Sequence, residues 1–465
     1  MSLNTSKDNV NNWKNKAVLR NKIISQQKKT ILELSRSRDE WKLRFKTLKN
    51  KVISAGGGIV NFSDKKQCAK WHQYSLILNL FCVQFLSYGA QSFRGCVHSL
   101  VCINLCFKLG FSKIPCPNTI RNWACKMGYY RVHEVVEKSD ELWVILIDES
   151  ISIGCEKILL VLGIPLSKLN FSKALDLSEL RVLAMEISKT WQAEEIAIVL
   201  QKVSKNYPIG YIISDSGSNL KKSYLLGDYL HIPDCTHSMA NILASLYEKE
   251  PTFIAFCQQC SALRQRWALS KQTKFMPPKV GNKLRFANVF ALILWAKKNL
   301  DSWDILPDEV KNEFVFLTEN KSFLLEFYAI QSSSLALQKI LKIQGYSQET
   351  HQEIKVILEK SRQKTYVKQA IFKEKTMAYL AILEAKKPKE IEKIQCSSDS
   401  IESAFGKLKQ KISPNSSRKM TVFVLTLASI GSAYSVEEVK KGLETVKEKD
   451  LKNYRKPPKT GGKTG

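Results

Sequence analysis

A heptad pattern runs through the front of the chain. From residue 13 to residue 52, twelve positions alternate steps of four and three residues, and nine of them are apolar. The apolar positions are Trp13, Ala17, Ile24, Ile31, Leu34, Trp41, Phe45, Leu48 and Val52. This spacing puts the side chains on one stripe of a helix and is typical of a coiled coil. We predict a basic coiled-coil helix over residues 1–56 that pairs with a second copy or grasps DNA; packing on its own chain is the alternative.

The next region, residues 57–138, has helical patterning. It contains an amphipathic stretch over residues 91–109 and a second, short helix over residues 119–127. Asn118 is a good N-cap for the second helix, and Gly128 is predicted to end it. Two helices joined by a short turn are typical of a helix-turn-helix, but also of an ordinary helical hairpin.

In the helix-turn-helix interpretation, the second helix reads DNA. Its predicted core positions are Ile120, Trp123 and Met127. Its predicted DNA-facing residues are Asn118, Thr119, Arg121, Asn122 and Lys126.

Strand patterns begin near residue 141. Predicted strands cover residues 142–147, 157–165, 181–187, 210–214 and 229–232, with helices over residues 192–206 and 220–229. Three strands in succession, followed by alternating helices and strands, are the order of an RNase H-like sheet. Residues 238–393 are predicted to be almost wholly helical. The predicted class is therefore mixed α/β, an RNase H-like core with a large all-α insertion.

Two acidic residues close predicted neighbouring strands of this sheet. Asp148 closes the first strand and Asp215 the fourth, so their side chains are expected to converge. A carboxylate at the end of a buried strand is costly unless it is paired or bound to a metal. Mg²⁺ suits two such groups, because it takes oxygen ligands. Glu149 is expected on the opposite face of the strand.

A third acid, Glu402, lies on a helix predicted to begin at Ser398 or Asp399. The apolar stripe of this helix is Ile401, Phe405 and Leu408. We expect the stripe to dock on the sheet, with Glu402 beside it as a metal ligand. Lys407 and Lys409 on the same helix are predicted to contact DNA. A solvated glutamate on a surface helix is the alternative.

The charge indicates a partner. The 465 residues include 72 Lys and Arg against 43 Asp and Glu, a net charge of +29, and 44% are hydrophobic. A folded chain with this excess is typical of nucleic-acid-binding proteins; a basic surface without a partner is the alternative. In the long helical region, Arg264 and Arg266 are predicted to contact DNA phosphates. Trp267 is predicted either to stack on an unpaired base or to lie in the core.

Cysteines and hydropathy bear on the compartment. No stretch reaches the roughly 18–20 apolar residues that a membrane span needs, and residues 1–10 lack the apolar part of a secretory signal. We therefore expect a cytoplasmic chain without membrane contact, in which the twelve cysteines are reduced. A zinc site at Cys257 and Cys260 is disfavoured, because a second Cys-x-x-Cys pair is missing.

The acids and their surroundings resemble those of bacterial insertion-sequence transposases of the DDE class. The similar strings are Ile-Ile-Ser-Asp-Ser-Gly-Ser-Asn-Leu (residues 212–220) and Ser-Asp-Ser-Ile-Glu-Ser-Ala-Phe-Gly-Lys-Leu-Lys (residues 398–409). Asp234-Cys235-Thr236-His237 also resembles a Cys/Asp-x-x-His element of transposases with an insertion domain. The resemblance covers about residues 118–411.

The resemblance implies a chemistry. DNA is cleaved at transposon ends, and the freed 3′-hydroxyl is joined to target DNA, with two Mg²⁺ or Mn²⁺ ions. Asp148 would bridge both ions, with Asp215 on one and Glu402 on the other. His237 would lie near the scissile phosphate. The implied partners are double-stranded DNA with inverted repeats, target DNA and further copies of the chain in a dimer or higher oligomer, in the nucleoid-associated cytoplasm of a bacterium.

The predicted organisation has six parts, at residues 1–56, 57–138, 139–238, 239–394, 395–435 and 436–465. They are the coiled coil, the helical DNA-binding region, the first part of the core, the insertion, the end of the core with Glu402, and a basic tail. A catalytically inactive or co-opted transposase that only binds DNA is the alternative function. A structure-specific nuclease for recombination or repair is a third interpretation, which the predicted helix-turn-helix disfavours.

Overall fold

The computed structural model describes residues 68–88, 91–107, 111, 113–134, 138–153, 156–268, 270–279, 286–360, 367–411 and 422–454, together with six positions before residue 40. The chain divides into two units, Met1–Ser63 and Asp64–Gly465. Of the first unit, the described positions are helical. The predicted coiled coil otherwise lies outside the described residues, as does the end of the predicted basic tail.

The second unit begins with a helical region. Its helices are α1 (Leu76–Tyr88), α2 (Phe93–Phe107) and α3 (Pro117–Tyr129), and a π-helical turn (Tyr130–Glu134) continues α3. The predicted pair of helices is therefore present. Its second helix, however, begins earlier and ends later than predicted.

Both ends of α3 have a physical explanation. Cys116 is the N-cap residue instead of Asn118, and Pro117 begins the helix. Proline is tolerated there because the first backbone N–H groups of a helix have no acceptor within the helix, so the N–H that proline lacks is not needed. Gly128 does not end the helix. It is a close-packing position, because a Cβ there would lie 1.9 Å from the carbonyl oxygen of Leu425.

Five strands form one mixed sheet. They are β1 (Trp143–Ile153), β2 (Glu156–Pro165), β3 (Arg181–Ser188), β4 (Ile209–Ser214) and β5 (His231–Pro233). The strand order is β3-β2-β1-β4-β5. The β1–β2 and β2–β3 pairs are antiparallel, whereas the β1–β4 and β4–β5 pairs are parallel. The predicted mixed α/β class is confirmed.

The two faces of the sheet pack on different helices. The helices between the strands are α4 (Ala193–Ser204) and α5 (Ser218–Leu226). On one face, Trp143, Ile145 and Ile147 pack with buried residues of these two helices. On the other face, Val144 and Leu146 belong to a larger core shared with helices from later in the chain. Alternate residues of β1 face opposite sides because side chains alternate along a strand.

A long helical region follows β5. Its described α-helices are α6 (Cys235–Tyr247), α7 (Pro251–Trp267), α8 (Phe286–Asp301), α9 (Asp308–Glu313), α10 (Val315–Glu319), α11 (Lys321–Gln344), α12 (Gln348–Lys360) and α13 (Val367–Lys386). Each described helix is too short or too polar to cross a membrane.

The end of the chain returns to the sheet and to the first helices. Its described α-helices are α14 (Asp399–Lys411), α15 (Leu425–Ala428), α16 (Val436–Thr445) and α17 (Glu448–Asn453). Helix α14 packs against β1, and α16 and α17 pack against α3. The start of the predicted basic tail is thus helical and contacts a segment more than 300 residues earlier.

Candidate active site

The two acids predicted on neighbouring strands lie at the same level of the sheet. The parallel pairing of β1 and β4 ends with Leu146 opposite Ile213. Asp148 and Asp215 each follow two residues later, which puts both on the face of the larger core. Asp215 comes directly after β4, and its Oδ1 accepts a hydrogen bond from the backbone N–H of Gly217 at 3.0 Å.

The prediction that Asp148 closes β1 is wrong. The strand continues to Ile153 and stays paired with β2, with Asp148 opposite Leu160. On its other side, however, the pairing with β4 has already ended. Asp148 therefore lies in the middle of β1 but at a step in the sheet, where its carboxyl group is beside the segment that follows β4.

The carboxyl group of Asp148 has an unfavourable environment for its charge. Burial raises the pKa of Asp148 to about 7, and the negative charges of Asp215 and Glu402 act in the same direction. The charge of His237 opposes them. The fold therefore brings the three predicted acids and the predicted histidine close enough for their charges to interact.

Helix α14 carries Glu402 to this face. The buried residues of its predicted stripe are Ile401, Phe405 and Leu408. The side chain of Glu402 is 52% exposed, and its Oε1 lies 3.3 Å from Nε2 of His237. The hydrogen bond to Glu402 raises the pKa of His237 to about 9. His237 is therefore mainly protonated at neutral pH, and it donates to Glu402.

Asp234 holds together the segments that carry His237 and Glu402. It is the N-cap residue of α6, and its Oδ1 accepts a hydrogen bond from the backbone N–H of His237 at 2.7 Å. Its Oδ2 accepts two more from Ser398, from the backbone N–H at 2.6 Å and from the hydroxyl at 2.9 Å. Asp234 is 1% exposed, so leaving these bonds unmade would be costly. The first turns of α6 and α14 are therefore clamped at one residue.

Asp234 was identified only as the first residue of the Cys/Asp-x-x-His element, without a role of its own. Its position directly before a helix is a recognised N-cap signal, which could have identified its bond to His237. Its bonds to Ser398 join residues 164 positions apart. No local pattern predicts a contact at that separation.

Two other acids near the group have basic partners. Glu149, on β1, forms an ion pair with Lys157 at 3.5 Å. Asp399, at the start of α14, forms an ion pair with Lys342 at 2.5 Å. Each of these carboxylates is already balanced by a lysine, which distinguishes them from Asp148.

The donor set is chemically suited to a divalent cation, because Mg²⁺ and Mn²⁺ prefer oxygen ligands. Among the described residues, however, no three His, Cys, Asp or Glu side chains are arranged as a metal-binding group. Glu402 is turned toward His237, and Asp148 and Asp215 repel each other when both are charged. The arrangement is that of an acid cluster with one protonated histidine at its edge.

Helix α3 presents some of its predicted DNA-facing residues and buries another. Its predicted core residues Ile120, Trp123 and Met127 are buried, as expected. Asn118 and Arg121 are exposed, and Thr119 is half-buried. Lys126 is only 8% exposed, and its Nζ donates to the carbonyl oxygen of Leu443 at 3.4 Å. The interpretation of Lys126 as a DNA-facing residue is therefore wrong, because the side chain is used to hold α16.

Asn122 is also engaged by the end of the chain. It is half-buried, and its Nδ2 donates a hydrogen bond to Glu448 at the start of α17. Its amide can contact DNA only where this bond is shared or exchanged. A DNA contact by Asn122 stays a prediction.

In the long helical region, Trp267 belongs to the core. It is 6% exposed and packs on Phe314 with ring centroids 5.4 Å apart. The core alternative is confirmed for this residue, and stacking of Trp267 on an unpaired base is wrong. Arg264 donates to a backbone carbonyl oxygen, and Arg266 forms an ion pair with Glu313.

The two lysines of α14 differ in their surroundings. Lys407 is half-buried, and its Nζ donates to the carbonyl oxygen of Ser87 at 2.8 Å. Lys409 is exposed, one turn beyond Phe405 of the buried stripe. Lys409 is therefore the better placed of the two for a phosphate contact.

No protein-family model matches the chain, and no curated protein is significantly similar to it.

Proposed function

We propose that this chain is a DDE-class DNA transposase, which cuts DNA at transposon ends and joins the freed 3′ ends to target DNA. The observation that carries the proposal is the proximity of Asp148, Asp215 and Glu402 at a single face of the sheet. The negative charges of Asp215 and Glu402 both raise the pKa of Asp148. A buried acid such as Asp148, whose charge is disfavoured by burial and by neighbouring acids, is typical of a functional site.

The topology of the sheet supports an RNase H-like core. The strand order is β3-β2-β1-β4-β5, in which an antiparallel meander leads into parallel strands and β1 lies beside β4. The meander, the parallel strands and the adjacency of β1 and β4 are the features expected of such a sheet. Two acids lie on the adjacent strands β1 and β4, and the third comes from a late helix. The intervening residues 235–386 are mostly helical in their described parts, as expected for an insertion.

In this proposal, Asp148, Asp215 and Glu402 would hold two Mg²⁺ or Mn²⁺ ions, which when bound would supply positive charge for phosphoryl transfer. Glu402 is exposed enough to turn from His237 toward the other two acids. The protonated Nε2 of His237 is then available to donate to a phosphate oxygen. Asp234 positions both residues by clamping the helices that carry them.

DNA as the partner is supported by charge and exposure. The formal net charge is +29, and exposed polar or basic side chains lie on two helices, Asn118 and Arg121 on α3 and Lys409 on α14. Arginine and lysine neutralise backbone phosphates, which gives binding a strong dependence on salt.

The test is a cleavage and strand-transfer assay with Mg²⁺ or Mn²⁺, on DNA carrying the inverted repeats that flank the gene. Wild type is compared with Glu402→Gln, which keeps the size and the hydrogen bond to His237 but removes the charge. We expect cutting at the 3′ ends by wild type and a loss of about 100-fold or more in the variant. The matched control is Glu149→Gln, on the same sheet but paired with Lys157, which should cut like wild type.

A second candidate function is DNA binding without catalysis, as in a co-opted transposase. The specific observation in its favour is that no three acidic side chains are arranged as a metal-binding group among the described residues. Binding to the inverted repeats with no cutting in either metal would establish this candidate. If Glu402→Gln still cuts the DNA, the chain is an enzyme but Glu402 is not one of its catalytic residues.

A further inference from the structure

A cleft of about 560 Å³ lies beside α3, and it is separate from the acid cluster because Asp148, Asp215 and Glu402 do not line it. One wall is the turn over residues 70–74, the second is α3, and the third is the junction between α16 and α17. Its volume falls within the roughly 300–1,000 Å³ of small-molecule sites. The cleft can therefore hold a group the size of a nucleobase with its sugar.

Trp71 stands at the tip of the first wall. It is 91% exposed, and its φ of 65° is in the left-handed region that a bulky residue rarely adopts. Exposing a tryptophan in a strained backbone has no benefit for folding. The ring is held out from the surface, with Nζ of Lys70 5.8 Å from its centroid.

The turn that carries Trp71 is anchored on both sides. Its ends are joined by a bridge between Cys68 and Ser75. The backbone N–H of Lys70 donates to Oε1 of Glu444 at 2.7 Å, and Nε2 of His72 lies 3.3 Å from the carbonyl oxygen of Leu443. These contacts fix the turn to α16, so the exposed ring is presented from a defined position.

The remaining walls carry groups that recognise base edges and phosphates. Thr119 and Asn122 of α3 line the cleft, as do Glu448 and Lys447. An asparagine amide bonds adenine and a carboxylate accepts from the amino group of cytosine, whereas a lysine contacts phosphate. An aromatic ring is a platform on which any base can stack. Asn122 and Glu448 are hydrogen-bonded to each other, so a base edge would share or replace that bond. The cleft therefore combines a stacking surface, one polar pair that can be exchanged for a base edge, and a cation.

We infer that this cleft binds one unpaired nucleobase of the DNA substrate, stacked on the ring of Trp71. The inference rests on the proposed function, because DNA is the substrate only if the chain is a transposase or a DNA-binding protein derived from one. A paired base inside a duplex has both faces covered by its neighbours, so a stacking platform selects a base at an end, a gap or a bulge. The cleft lies beside the exposed residues of α3, so the same bound DNA can place a base in it.

The test uses two fluorescent DNAs that contain 2-aminopurine, one fully paired and one with the 2-aminopurine as a single-nucleotide bulge. Wild type should bind the bulged DNA more tightly and quench its fluorescence by stacking. Trp71→Gly should lose about 10-fold in affinity for the bulged DNA and lose the quenching, with affinity for the paired DNA within about twofold of wild type. Trp71→Phe, which keeps a ring, should restore part of both.

The variant is chosen so that it folds. Glycine adopts positive φ without strain, so Trp71→Gly should melt no lower than wild type. The matched control is Phe107→Ala, which removes another exposed aromatic side chain, 70% exposed, at the end of α2. It should leave both affinities and the quenching unchanged.

Three outcomes overturn the inference and are distinguishable. Equal binding of both DNAs, unchanged in Trp71→Gly, would remove the base site and leave the transposase proposal intact. Equal losses on both DNAs in Trp71→Gly would make Trp71 a general DNA contact. Binding of dAMP or dCMP alone, with no binding of any DNA, would make the cleft a free-nucleotide site and would remove the proposed function with it.

Discussion

The acid cluster on β1, β4 and α14 and the helix α3 both carry residues predicted to be functional, but their polar side chains have different environments. In the acid cluster, Asp148 lies close to Asp215 and Glu402 although burial and like charges oppose its ionisation. In α3, Lys126 is buried against a backbone carbonyl, and Asn122 is bonded to Glu448. The acid cluster therefore contains a carboxyl group whose charge is unfavourable, whereas the polar side chains of α3 form hydrogen bonds that stabilise the packing of the fold.

The difference teaches how reliably each kind of position can be assigned. The apolar runs that precede Asp148 and Asp215 are visible in the local sequence, and the period of two along a strand sets the face on which each acid lies. The parallel pairing of β1 with β4, which are separated in the chain by two strands and a helix, then brings the two acids together. The surroundings of α3 come from α16 and α17, which lie more than 300 residues later. A costly arrangement that survives in a fold is evidence of function, whereas a satisfied one is equally well explained by stability.

The largest expected effect is on catalysis. Asp148→Asn or Asp215→Asn should lower the rate of metal-dependent DNA cleavage on the order of 1,000-fold or more, because either change removes a carboxylate from the cluster. Affinity for the inverted-repeat DNA, measured by fluorescence anisotropy in EDTA, should stay within about threefold of wild type. Loss of DNA binding in both variants would show that these acids are structural, and the contrast with α3 would disappear.

A smaller effect concerns the stability of the sheet beside Asp215. His231 on β5 is 8% exposed and its Nε2 lies 3.1 Å from Oγ of Ser214. Burial lowers the pKa of His231 to about 4, whereas the unfolded residue has a pKa of about 6.5. Between these two pKa values, His231 is protonated in the unfolded chain and neutral in the folded chain. Stability from this residue is present above about pH 6.5 and is lost as the pH falls toward 4.

Urea unfolding at pH 7.5 and pH 4.5 checks this. Between pH 7.5 and pH 4.5, the free energy of unfolding of wild type should fall by roughly 2–3 kcal/mol more than that of His231→Gln. His98→Gln, an exposed histidine of α2, is the matched control and should retain the pH dependence of wild type. An identical pH dependence in His231→Gln would mean that this side chain is not held neutral by the fold.

The smallest effect separates two basic residues of one helix. Arg121→Ala should weaken binding to the inverted-repeat DNA by about 10-fold and binding to random DNA by less, because Arg121 is exposed on α3. Lys126→Met should change either affinity by less than about twofold, because its ammonium group already donates to Leu443. Both are measured by fluorescence anisotropy at one fixed salt concentration. Equal losses on both DNAs in Arg121→Ala would remove the helix-turn-helix hypothesis.

Much of the architecture and part of the candidate site could be predicted from the sequence. Apolar runs of strand length placed the start of β1 and both ends of β2, β3 and β4 within about one residue, and the position of Asp215 after β4 followed from the end of its run. The stripe of α14 and the core residues of α3 also agree with their periodicity. The extent of β1 did not, because polar residues beyond Asp148 continue the strand through pairing with β2.

By itself, the sequence determined the mixed α/β class, the succession of strands and helices along the chain, and the two acids that directly follow apolar runs, because these depend on local periodicity. Only the tertiary structure decided that Lys126 and Trp267 are buried, that His237 holds Glu402, and that a turn around Trp71 faces α3 across a cleft. The physical reason is separation along the chain. Lys126 and Leu443 lie 317 residues apart, and the partner of a side chain at that distance is set by packing.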